Sequence, residues 1–178
     1  MKAAASSTTT WRLPPAWRKG LLVLHIIAGI SWMGVDIAFL ILLMTARTSG
    51  NAVLVASGFN AIRTVVPLAV PPLSLSILIT GVLLGLGTSW GLFRYWWVLV
   101  KLSLSLLMTV LVFTSLVPGV NAIALLDLSS TSADAVRAGL GDLPTQLLYP
   151  PIVSFLMLGA ATLLSVYKPW RRTPWSQA

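Results

Sequence analysis

Two ionisable side chains share one apolar stretch of this chain, His25 and Asp36 in LHIIAGISWMGVDIAFLILL. They are eleven residues apart. At about 100° per residue they fall within roughly 20° of one helix face, about 16 Å apart along the axis. Gly29 and Trp32 belong to the same face, which therefore reads His25, Gly29, Trp32, Asp36. An imidazole in that setting can ligate haem or copper, or accept a proton. It can equally be a packing residue, hydrogen-bonded to a carbonyl across a helix interface. His25 is the only histidine. A haem on this chain would need another axial ligand, a five-coordinate iron or a dimer.

Asp36 reads either as half of a structural ion pair or as an ion- or proton-sensitive group. A carboxylate near a bilayer centre costs roughly 2.5–3.5 kcal/mol on insertion scales. It calls for a basic partner, a hydrogen-bond network or the neutral form. Arg63, entering the next apolar segment from the same side, is the expected partner. The face expected to turn inward is thus His25, Trp32 and Asp36, with Arg63 opposite. Lys101 opens the third apolar segment and has a stem long enough to snorkel to headgroups. Its alternative role is as a charge partner for an anionic ligand.

The chain carries no recognisable catalytic motif: no HExxH, no phosphate-binding glycine loop, no paired carboxylates. There are no cysteines, which removes disulfides, thiolate metal sites and thiol catalysis. No metal site is expected.

These residues must be positioned by membrane-spanning helices. The chain is 57% hydrophobic and only 9% charged, against about 25% charged in an average soluble domain. Too few charges remain to cover a soluble surface. Four segments approach the roughly 20 apolar residues a span requires: 21–44, 66–87, 98–117 and 147–167. Helices satisfy their own backbone in lipid, and the alternating pattern of a transmembrane barrel is absent. The first segment exceeds a signal-peptide core in length and reads as a retained helix. The expected fold is all-α, a four-helix transmembrane bundle occupying 20–168, between tails 1–19 and 169–178.

Orientation follows from the basic residues. With the N-terminus inside, all Lys and Arg except Arg47, Arg63 and Arg137 are cytoplasmic. The expected topology is therefore N-in/C-in, with both tails cytoplasmic and the cell membrane as location. Trp11, Trp17, Trp90, Trp96, Trp97, Trp170 and Trp175 gather at the inner boundary and read as interfacial anchors. The net charge of +8 serves topology and anionic lipid rather than nucleic acid. The lipid bilayer is the expected partner, with a homo-oligomer or a membrane protein as a further one.

The loops differ. Residues 52–63 are semi-apolar and read as an outward extension of the second helix or as an interfacial helix. The start of the second outer loop, 120–128, is apolar enough to lie on the membrane surface. Its centre, 129–134, is polar and expected to be mobile, and 6–10 is expected to be disordered. The proline pairs Pro71–Pro72 and Pro150–Pro151 read as early-turn prolines, where amides lack partners anyway.

The stretches LHIIAGISWMGVDIAFLILL and TGVLLGLGTSWGLFRYWWVLVKLSLSLLMTVLV together resemble an uncharacterised bacterial family of predicted four-helix integral membrane proteins. The likeness covers about 20–118 and implies a fold and a location. A histidine followed seven residues later by Trp-x-Gly, here His25, Trp32 and Gly34, is similar to the opening helix of the CopD-type copper-resistance and HemJ-type haem-pathway proteins. In the latter family the resemblance implies that this histidine ligates haem.

The leading expectation is a non-enzymatic accessory or small-solute-handling membrane component. The alternatives are a haem- or copper-binding redox protein using His25, and a small transporter or ion- or proton-sensing module centred on Asp36.

Overall fold

The computed structural model describes residues 13–88, 90–125, 132–169 and 172–174, with the side chains of 124 and 125 left aside. The expectations for 6–10, 126–128 and 129–131 lie outside the described residues. Five helices organise the chain. They are α1 (Pro15–Thr48), α2 (Ala52–Gly87), α3 (Trp96–Leu111), α4 (Ala133–Leu140) and α5 (Tyr149–Tyr167). A π-helical stretch, Val112–Leu116, and an α turn, Val117–Asn121, carry α3 onward. Among the described residues there is no β-strand. Four helices are long and apolar enough to cross a membrane: α1, α2, α3 with its continuation, and α5 with the turn from Leu143.

Local chemistry sets the ends. Proline at the first position of α1 lacks only an amide hydrogen that would find no helical partner there. The side chain of Asn51 accepts from the amides of Val53 at 2.9 Å and Leu54 at 3.4 Å, capping α2. Residues 52–63 are thus the first turns of α2, the outward extension rather than a separate interfacial helix. The reason is visible in the packing: Val55, Phe59, Ile62, Val66 and Val70 recur at helical spacing and are all buried. This longer α2 corrects the reading of one proline pair. Pro71–Pro72 stand inside α2 with Pro67, far from its first turn. Pro150 does occupy the first turn of α5.

The helices form a ring in which α1 and α3 each contact α2 and α5. The α1–α2 pair is the closest. A Cβ on Gly58 would stand 3.0 Å from the Ala46 Cβ and 3.2 Å from the Leu42 carbonyl oxygen, so glycine permits this approach. The outer face is apolar: Ile30 is 66% exposed, Leu68 76% and Val166 69%. A surface of that kind matches hydrocarbon, not water.

Leu13 and Thr173 both meet the junction of α2 and α3 at one end of the bundle. The Leu13 amide donates to the Gly87 carbonyl at 3.1 Å, and the Thr173 amide donates to the Arg94 carbonyl at 3.0 Å. Trp90 packs edge-on against Tyr95 and Trp97, with ring centroids 5.2 and 5.4 Å apart. Trp97 is buried there, an inward packing residue rather than a lipid-facing anchor. At the opposite end α4 lies over the bundle, burying Ala133, Val136 and Leu140. Arg137 donates to the Ser49 carbonyl at 2.7 Å, at the C-terminus of α1, where a cation opposes the helix dipole.

Candidate functional site

The polar groups of the interior lie along α1 and are met by hydroxyls from the helices on either side. His25, on α1, places Nδ1 2.8 Å from the Thr80 Oγ1 on α2. The Thr80 hydroxyl donates to the Ser76 carbonyl at 2.5 Å, one turn back on its own helix. Which of His25 and Thr80 donates to the other follows the tautomer of the ring. The imidazole also meets the Ile77 backbone of α2. The ring stands against α2 at Gly81, where a Cβ would meet the His25 Cε1 at 3.4 Å.

Three turns along α1, Asp36 is buried with 3% of its surface exposed. The Ser154 hydroxyl of α5 donates to Asp36 Oδ2 at 2.6 Å. The Trp32 indole, one turn before Asp36, faces the same carboxyl group, but its Nε1 makes no hydrogen bond. The expected ion pair with Arg63 is not formed. Among the described residues the one ion pair joins Arg137 to Asp134 at 2.7 Å. Arg63 is exposed on α2. It stands one residue after Ile62, which is buried, and the 100° step per residue carries it off the inward stripe.

Lys101, on α3, donates to the Ser165 hydroxyl on α5, and Ser165 in turn donates to the Ala161 carbonyl at 3.0 Å. The lysine is half-buried and turned across the bundle, not out to headgroups.

These groups border three cavities arranged in series. The first, at the end where Leu13 and Thr173 lie, has a volume of about 530 Å³ and is bordered by His25, Lys101, Ser105 and Ser165 among others. The same four residues border a middle cavity of about 400 Å³. Trp32 and Met108 then border both the middle cavity and a third, of about 280 Å³. The third is also lined by Ser154, the residue that holds Asp36. Each of the three spaces is partly open to the outside of the bundle, and neighbours share lining residues, the first two at His25 and Lys101 and the last two at Trp32 and Met108.

Of the four residues expected to face one another, three meet this interior. His25 and Trp32 line it, Asp36 reaches it through Ser154, and Arg63 does not. Thr80 and Ser154 complete the site. Thr80 carries no sequence signal beyond that of a packing hydroxyl. Ser154 sits in the apolar run YPPIVSFLML, where one hydroxyl marks the helix face that must find a partner.

No protein-family model, curated protein or solved structure matches this chain. The likeness of α1 to the copper-resistance and haem-pathway families therefore has no support from whole-chain comparison. Among the described residues no three His, Cys, Asp or Glu side chains gather into a metal-binding group.

Proposed function

We propose that this chain is a multi-pass protein of the bacterial inner membrane, with both termini in the cytoplasm, that handles a small solute in its interior without catalysing a reaction on it. The observation that carries the reading is the series of three cavities bordered by His25, Lys101 and, through Ser154, the Asp36 carboxyl group. Clefts that combine ionisable groups with apolar walls suit a small solute better than plain lipid anchoring does. Ionisable groups inside a membrane are costly and mark solute or proton pathways. Among the described residues Asp36 has no cationic partner, so its charge state can change without breaking an ion pair. It serves as the proton-exchanging group of the path.

The test is proton movement in proteoliposomes loaded with a pH-sensitive dye, with potassium and valinomycin to balance charge. The wild-type protein is expected to dissipate an imposed pH gradient faster than empty vesicles, and Asp36→Asn to return the rate to that of empty vesicles. A wild-type rate equal to that of empty vesicles would sink the proposal.

A second reading rests on His25, whose Nδ1 meets the Thr80 hydroxyl. Metal-ligating histidines characteristically donate one ring N–H to a neighbour. In a haem- or copper-binding protein His25 would donate its Nδ1–H to Thr80 and hold the group through Nε2. The chain has no second histidine, so the opposite axial position would fall to another residue type or to a second chain.

A further inference from the structure

We infer that the cavity at the end where Leu13 and Thr173 lie binds an amphiphilic anion, its acidic head among the cations and its apolar body between the helices. The inference rests on reading the interior as a solute-handling space and names the class of solute that enters it.

Charge is the first observation. Arg18, Lys19, Lys101 and Lys168 all border this cavity, and no Asp or Glu does. The chain has only four acidic residues. Of those among the described residues, Asp36 is bonded to Ser154 beside the third cavity, Asp134 pairs with Arg137, and Asp142 lies in the turn after α4. None of these three borders the cavity of the four cations. Lys101 is half-buried while Arg18, Lys19 and Lys168 are exposed at the cavity mouth, and a cleft lined by one sign of charge concentrates ions of the other sign.

Lys101 is the second. It lies deepest of the four, and its described partner is a neutral hydroxyl, that of Ser165. A hydroxyl accepts one ammonium hydrogen and leaves two of the three donors for a ligand. His25 lies beside it on the same wall.

The third is the backbone of Lys168. It is the one described non-glycine residue with positive φ, at 45°. That conformation at a helix C-terminus is usually left to glycine. Its amide caps α5 by donating to the Leu164 carbonyl at 3.1 Å. Its ammonium group lies 4.9 Å from the centre of the Trp90 ring, which places a cation at the cavity mouth.

The remaining walls decide the body of the ligand. Leu22, Leu84, Leu92, Leu102, Trp90 and Trp97 face the same space. Its volume of about 530 Å³ is within the range of roughly 300–1,000 Å³ typical of small-molecule sites. A bare inorganic anion would leave the apolar walls unused, and a neutral lipid would leave the cations unpaired. An acyl or aromatic body with a phosphate or carboxylate head satisfies both. That chemistry is shared by a free amphiphile and by an anionic lipid.

Native mass spectrometry of the full chain released from a neutral detergent distinguishes these cases. The probes are dodecyl phosphate, dodecanol, inorganic phosphate and phosphatidylglycerol, each at the same concentration. One dodecyl phosphate per chain is expected, with at least tenfold lower occupancy for dodecanol and for inorganic phosphate. Lys101→Gln combined with Lys168→Gln is expected to lower dodecyl phosphate occupancy at least tenfold, and Lys101→Arg to retain it. Lys168→Gln alone, at an exposed position, supplies a folded variant with a smaller loss should the double variant fail to fold. Displacement of dodecyl phosphate by phosphatidylglycerol assigns the site to a lipid head, and its persistence assigns the site to a free amphiphile. Equal occupancy by dodecanol, or equal occupancy in wild type and folded variants, overturns the inference. Binding is measured without transport, so this result can fail while proton movement through Asp36 persists, and the reverse.

Discussion

Ser154 on α5 donates a hydrogen bond of 2.6 Å to Asp36 on α1, and this contact ties the last membrane-length helix to the first. The two residues are 118 positions apart in the chain. A serine hydroxyl, not a cation, is what the buried carboxyl group meets.

Removing that hydroxyl should leave Asp36 without its donor. Hydrogen bonds to charged groups contribute about 1.5–3 kcal/mol in soluble proteins, while interhelical bonds in membranes average about 0.6 kcal/mol. Ser154→Ala is therefore expected to cost about 1–2 kcal/mol in reversible unfolding from detergent. In a cycle with Asp36→Leu, the two substitutions should couple by at least about 0.5 kcal/mol. Strict additivity would mean that the contact contributes nothing.

Arg63 should behave as a surface residue. Exposed positions away from special features usually change stability by no more than about 0.5 kcal/mol. Arg63→Ala is expected within that limit, and its cycle with Asp36→Leu should show no coupling. A loss of about 3–5 kcal/mol, typical of breaking a buried ion pair, would place Arg63 against Asp36 after all.

At His25 the measurement is optical as well as energetic. Thr80→Val removes the hydroxyl that meets the imidazole and should cost about 0.6 kcal/mol, the average for an interhelical bond in a membrane. His25→Ala should cost about the same through that bond. The spectrum of the purified protein is expected to lack a Soret band. A stoichiometric haem signal that His25→Ala abolishes, with the fold intact, would move the function to haem handling.

Topology gives the fourth expectation. The Leu13–Gly87 and Thr173–Arg94 hydrogen bonds hold the N-terminal end, the α2–α3 turn and the C-terminal tail at one end of the bundle. Reporters fused after Ala178 or within 87–91 should all read cytoplasmic, and one near Ser130 should read external. Disagreement between the two inner positions would break the four-span arrangement. An external reading from both would invert the orientation.

The amino-acid sequence by itself determined that four helices form, roughly where they run, and that His25, Trp32 and Asp36 share a face. Those properties depend on hydropathy and on the 3.6-residue period, both local to a segment. Asp36 and Arg63 lie nearly equidistant from the Gly50–Asn51 turn, and that spacing is what made Arg63 the expected partner. Only the tertiary structure decided the rotation of α2 about its axis. The stripe of Phe59, Ile62 and Val66 packs against α1 and turns Arg63 outward. A helix apolar on every side gives little periodic signal for which face will be buried, because lipid and protein interior solvate leucine equally well. The partners of the polar groups were hidden for the same reason. Whether Ser154 meets Asp36, or Ser165 meets Lys101, depends on which neighbour α5 lies against, and no local property of α5 encodes that choice.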